Sequence, residues 1–169
     1  MKKVIILVEN GFDDVEFIVP FYRFLEAGFK VKVAGPEEAT YRGKVGLKAE
    51  AISVRSLAPD EFDLVFIPGG HAPDRLRRYP EVLEFVRKAH ESGAVIGAIC
   101  HAPHVLISAG LTRGRKMTSF FSIKDDVVNS GAEWVDAPVV VDGRIITARF
   151  PADLPVFLPE VIKAVSGVR

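Results

Sequence analysis

Cys100 is the chain's single cysteine. It stands where an apolar run, AVIGAIC (94–100), gives way at once to a helical pattern. A strand that turns directly into a helix presents one residue on a sharp elbow. That residue also sits at the helix N-terminus, where unpaired N–H groups favour negative charge. The placement predicts a depressed pKa at Cys100 and a thiolate able to act as nucleophile. His101 follows immediately and could serve as general base or orient a substrate. Ala98 and Ala102 occupy positions that a full elbow motif gives to glycine, and both are small enough for a tight turn. The competing reading is a buried, inert thiol beside a histidine that only packs the elbow. The strand-to-helix junction favours the reactive one.

Three further stretches carry candidate groups. Glu16 falls in the first turn of a helix that follows the first strand. A carboxyl group near a thiolate is pushed towards its protonated form, and could donate to sulfur or move a proton at a substrate carbon. Asp13 and Asp14 read as solvated acids that complete the same helical turn. Gly69-Gly70 forms a turn whose backbone can approach a ligand closely. Its N–H groups, with the Cys100–His101 peptide, could make an oxyanion site. Asp74 could orient a histidine, while Arg75, Arg77 and Arg78 read as a solvated helix face. His101 and His104 have His-x-x-His spacing, but no third ligand is evident and no metal site is expected.

Alternating elements must position these groups. KKVIILVE, KVKVA, DLVFIPGG, AVIGAIC and GRIITARF are strand-like. Helical patterns cover 13–27, 80–92, 103–109, 122–130 and 151–165. Pro20 predicts a kink in the first, and Pro155 and Pro159 predict a broken last helix. Residues 41–57 lack the helical period and predict a hairpin or edge excursion. The alternation implies one α/β domain over 1–169, with a mostly parallel sheet between two helical layers. Active sites of such sheets lie beyond the carboxyl ends of the strands. Residues 10–16, 68–75 and 100–104 all fall there.

Composition sets the outer bounds. Twenty-two basic residues balance 22 acidic ones, with no basic stripe for nucleic acid. No apolar run is long enough to span a membrane. The N-terminal apolar core, Val4–Val8, is too short for a signal peptide. One free cysteine suits a reducing, cytoplasmic setting. The absence of glutamine, with two asparagines and two methionines, hints at a thermophilic source.

The segments AICHAP (98–103), FIPGGHAPDRLR (66–77), NGFDDVEF (10–17), SAGLTRGRKMTS (108–119), IKDDVVNSGAEWVD (123–136) and VVVDGRIITARFPADLP (139–155) together resemble the PfpI family. They run in order over nearly the whole chain. The superfamily includes ThiJ and the parkinsonism-associated deglycase. The resemblance implies a flavodoxin-like three-layer sandwich with a nucleophile elbow, and no cofactor. It implies Cys100 as nucleophile, Glu16 as the carboxyl partner of its sulfur, and His101 as the histidine after the nucleophile. It also implies a homodimer or hexamer, in which the acid after the Gly-Gly turn reaches the histidine of a neighbouring subunit. Here that acid is Asp74, one methylene shorter than the glutamate of the archaeal proteases. Phe120 stands at a substrate-binding position where those proteases carry tyrosine, so it lacks the hydroxyl.

Three activities follow from the resemblance: peptidase, cofactor-free glyoxalase or deglycase, and redox or stress response. Aldehyde chemistry needs only a thiolate and a carboxyl group, so Cys100 and Glu16 favour small aldehydes or glycated adducts. Peptide cleavage by Cys100, His101 and Asp74 across a subunit interface is the runner-up, and an oxidisable Cys100 is the third reading. A glutamine amidotransferase is excluded because no histidine follows His104. A flavin-binding flavodoxin lacks a hydroxyl-rich phosphate loop after the first strand.

Overall fold

The computed structural model describes residues 1–167. Six parallel strands form the middle of the main sheet: β1 (Lys3–Leu7), β2 (Lys30–Gly35), β4 (Lys48–Ser53), β5 (Leu64–Ile67), β6 (Val95–Ile99) and β10 (Ile145–Ala148). Antiparallel β3 (Ala39–Arg42) and β9 (Val139–Asp142) close its two edges, in the order β3-β4-β2-β1-β5-β6-β10-β9. The 41–57 excursion is thus the β3–β4 hairpin at one edge. Two short strands, β7 (Lys116–Met117) and β8 (Glu133–Trp134), pair separately.

Alternation along the buried strands sorts their side chains between two cores. Ile5, Leu7, Val65, Ile67, Ile96 and Ala98 face one side. There they meet α3 (Pro80–Glu91), α4 (Pro103–Ser108) and α5 (Lys124–Asn129). Val4, Ile6, Leu64, Phe66 and Ile99 face the other, under α1 (Asp14–Glu26) and α6 (Leu154–Ser166). Phe66 joins that second layer, with ring centroids 5.3 Å from Phe24 of α1 and 5.8 Å from Phe157 of α6. A three-layer α/β sandwich results.

One expectation about proline needs correction. The last helix is continuous from Leu154 to Ser166. Pro155 lies in its first turn, where a missing N–H costs no helical bond. Pro159 is interior, yet burial of Phe157, Leu158, Val161 and Val165 holds the helix together through it. Helix α1 contains Pro20 and extends beyond it to Glu26. The helix face read at Arg75–Arg78 belongs to a short helix, α2 (Ala72–Leu76), directly after the Gly-Gly turn, which ends before Arg77 and Arg78.

Connections place the candidate groups on one sheet edge. From β1 the chain moves to β2 on one side, and later returns to β5 on the other, so the order reverses between β1 and β5. Ligands of open α/β sheets bind at such a reversal. The loops after β1 and β5 meet there: Asp13 N–H donates to the Gly69 carbonyl at 3.0 Å, and His71 N–H to that of Gly11 at 2.8 Å.

Phe157 is fully buried at the junction of α6 and the sheet. Phe157→Ala is expected to cost about 3–5 kcal/mol of stability, measured by urea unfolding with an unchanged m-value.

Candidate active site

Strand β6 ends at Ile99, and the next residue carries the backbone into an unusual conformation. Cys100 has φ 64°, and among the described residues it is the only non-glycine with positive φ. Such a conformation costs about 1–2 kcal/mol for an L-residue and persists only where neighbours impose it. Here Cys100 N–H donates to the Ala148 carbonyl at 3.0 Å, and its carbonyl accepts from Phe120 N–H at 2.9 Å. Both peptide groups are therefore pinned, by the end of β10 and by the segment after β7. Ala98 and Ala102 are fully buried on either side. The sulfur is left at the carboxyl edge of the sheet, as an elbow demands.

Glu16 is delivered to the same point by α1. Asp13 caps that helix, its Oδ1 accepting from Glu16 N–H at 3.0 Å. Glu16 has no solvent-exposed surface. Its Oε1 accepts from Gly69 N–H at 2.8 Å, while Oε2 is sealed from solvent without a hydrogen-bond partner. Burial, then the charge of Asp13, pushes the Glu16 carboxyl up to about 8. It is thus held protonated at neutral pH, as a buried carboxyl with a single N–H partner should be.

The Gly-Gly turn divides its work. Gly69 N–H is committed to Glu16 and is not free to serve an oxyanion, contrary to the sequence expectation. The N–H groups of Gly70 and His101 instead face the Cys100 sulfur and favour its charged form. Gly69 also has no room for a side chain. A Cβ there would lie 2.6 Å from Glu16 Oε1, 2.7 Å from Cys100 Cβ and 2.9 Å from the Ile99 carbonyl oxygen.

The thiol itself departs from expectation. Burial, then the Glu16 charge, pushes Cys100 up to about 12 rather than down. Helix α4 starts only at Pro103 and spans 6 residues, so its dipole adds little at position 100. Two acids this close cannot both ionise, and they titrate as a pair.

His101 is oriented by contacts at both nitrogens. Nδ1 lies 3.3 Å from Cys100 Sγ, and Nε2 lies 3.3 Å from Ser122 Oγ. Its ring stacks on Phe120 at 5.3 Å. Burial, then the neighbouring His104, His71 and Lys44, lowers its pKa. His104 turns away, its Nε2 lying 3.3 Å from Asp126 Oδ2. Among the described residues no group of three or more His, Cys, Asp or Glu side chains is placed to hold a metal ion. Asp74 does not join His101 within the chain: its side chain is 63% exposed and pairs with Arg78 at 2.9 Å.

Sequence reasoning misjudged Asp14 and missed Ser122. Asp14 is not a solvated acid. It is buried, and it accepts from Val45 N–H and Leu47 N–H, both at 2.9 Å, which clamps the hairpin turn beside the site. A sequence separation above 30 residues hid that role. Ser122, in IKDDVV's preceding turn, carries no local signal of its contact with His101.

Residues 2–164 match the model of the DJ-1/PfpI family. The chain belongs to that family. A relative named as a deglycase in Pyrococcus horikoshii is 44% identical over 95% of this chain and 98% of its own length. A Bacillus subtilis relative, provisionally named a cysteine protease, is 38% identical over 92% of this chain and 94% of its own. A solved two-domain protein of Anabaena variabilis, with DJ-1/ThiJ/PfpI-like and ferritin-like domains, superposes with TM-score 0.95 at 42% identity. It covers 98% of this chain, which spans 48% of the two-domain chain. The DJ-1/PfpI fold is therefore shared in full, and named members of the family are enzymes of deglycase or protease type.

Two outcomes follow from the packing around Glu16. Gly69→Ala should displace the Glu16 carboxyl or the elbow and cost about 1–3 kcal/mol, read by denaturant unfolding. The second concerns pH. Glu16 has a folded-state pKa of about 8 against an ordinary 4.5, so between these values the folded chain holds a proton that the unfolded chain has released. Stability must then fall as pH rises from about 4.5 to about 8, by on the order of a few kcal/mol. Glu16→Gln removes the titration, and its unfolding free energy should vary less between pH 5 and 8.5 than the wild type's.

Proposed function

We propose that the protein acts, without a cofactor, on reactive aldehydes or early glycation adducts, with Cys100 as nucleophile and Glu16 as proton-transfer group. The observation that carries this reading is the buried Glu16 carboxyl, held near 8 by burial and fixed by Gly69 beside the only thiol. Deglycase names among relatives over 40% identical support it.

Methylglyoxal illustrates the chemistry. Cys100 sulfur adds to the aldehyde carbon while His101 Nδ1, 3.3 Å from sulfur, takes the thiol proton and the Glu16 carboxyl gives its own proton to the carbonyl oxygen. The product is a hemithioacetal, with Glu16 left as carboxylate and His101 as imidazolium. As carboxylate, Glu16 removes the proton on the carbon bonded to sulfur while the His101 imidazolium protonates the neighbouring carbonyl oxygen, giving an enediol. Glu16 then returns its proton to the adjacent carbon as His101 takes the hydroxyl proton of the sulfur-bearing carbon. A thioester of lactate results. Water cleaves it to lactate and regenerates the thiol, so the oxidation of one carbon balances the reduction of its neighbour. A carboxylate with a raised pKa is a stronger base for this carbon acid than an ordinary one.

The peptidase reading requires Asp74 to turn His101 into a strong base. In the protomer Asp74 is engaged by Arg78, and Ser122 holds the far nitrogen of His101. The geometry within one chain therefore favours the aldehyde reading.

Lactate formed from methylglyoxal is the direct assay. Wild type should turn over many equivalents, Cys100→Ser none, and Glu16→Gln should lose at least about 10²-fold in kcat. Lactate production that survives Cys100→Ser would sink the proposal, as would full activity in Glu16→Gln.

A further inference from the structure

An open pocket of about 420 Å³ lies beside the elbow, lined by His101, the residue after Cys100. Its walls include Gly70, His71, Arg75, Arg78, His101 and His104. Two of these, Gly70 and His101, are the residues whose N–H groups face the sulfur. The pocket thus begins at the residues that flank the sulfur, and a small molecule bonded to Cys100 can extend into it.

The charge of the lining is one-sided. Of the three arginines around α2, Arg77 is drawn off to Ser108 Oγ at 2.8 Å and does not line the pocket. Arg78 pairs with Asp74, the single acid in the wall. Arg75 makes no ion pair or side-chain hydrogen bond among the described residues, although its guanidinium offers five donors. Lys44, whose charge is partly met by Asp13 at 3.5 Å, also acts on His101. The charged or chargeable neighbours that act on His101 are His104, His71 and Lys44, all bases. One uncompensated guanidinium with a second close by, in a concave site, is a receptor for a planar or tetrahedral oxyanion.

We propose that the pocket is an anion subsite, and that the preferred substrates are small aldehydes or glycation adducts bearing a phosphate or carboxylate a few bonds from the reacting carbon. Arg75 is the principal contact, with Arg78 released from Asp74 or shared with it. The reacting carbon sits over Cys100, and the anionic end reaches across Gly70 to α2. This rests on the aldehyde reading above for the reacting end, while the subsite itself is testable without turnover. It makes Arg75 a specificity residue rather than part of a solvated helix face.

Calorimetric titration of the intact protein at fixed ionic strength tests it, with three unreactive probes of matched size: glycerol 3-phosphate, glycerate and glycerol. Binding of one or both anions, none of glycerol, at least tenfold weaker binding in Arg75→Ala and an unchanged affinity in Arg77→Ala are expected. Phosphate preferred over glycerate would identify phosphorylated sugars and trioses as the source, and the reverse order would identify oxo- and hydroxyacids. Equal affinity for glycerol and the anions, no binding of any probe, or anion binding indifferent to Arg75→Ala overturns the subsite. Because Cys100→Ser should retain anion binding, a failed lactate assay with intact anion binding rejects the chemistry alone.

Discussion

The left-handed backbone at Cys100 is the constraint around which the site is arranged. An L-residue adopts it only under compulsion, and the compulsion comes from two directions. The Ala148 carbonyl at the end of β10 holds the peptide before the sulfur, and Phe120 N–H holds the one after it. Strand order makes this possible, because β10 is the hydrogen-bonded neighbour of β6. The elbow is thus a product of long-range sheet pairing as much as of local sequence. Its conformation moves the sulfur off the strand axis and over Gly69, where a side chain at that position would already be in collision.

From that point the electrostatics follow. A sulfur fixed against a buried carboxyl gives a pair in which one negative charge is tolerated and two are not. The surrounding N–H groups are divided accordingly: Gly69 serves the carboxyl, while Gly70 and His101 serve the sulfur. The site consequently stores a proton at neutral pH instead of a thiolate. Nucleophilicity must be drawn out as the substrate arrives, with His101 as the nearest base.

Much of this was legible in the sequence. Alternating Val- and Ile-rich runs with helical patterns gave the sandwich, because strands buried on both faces and amphipathic helices leave distinct periodicities. The three loops of the site were legible from their shared position after strands. What stayed hidden depended on partners far along the chain. The continuity of α6 through Pro159 is decided by its packing on Phe66, and the fate of Asp14 by a hairpin turn some thirty residues later. The sign of the Cys100 shift was misread because local reasoning weighs a helix N-terminus, whereas burial depends on the complete fold. Ser122 gave no signal, since its neighbours say nothing of where His101 points.

The segment after β1 holds three acids within four residues, and each is bound to a different task. Asp13 closes the end of α1, Asp14 pins the turn of the β3–β4 hairpin, and Glu16 sits beneath the sulfur. Only the third is held neutral by its surroundings. They are not interchangeable, although a shuffled version of the segment would keep the same composition, net charge and helical propensity. Similarity scored by residue class alone would therefore rate a scrambled, dead loop as equivalent to the working one. Position within a single helical turn is the information that distinguishes them.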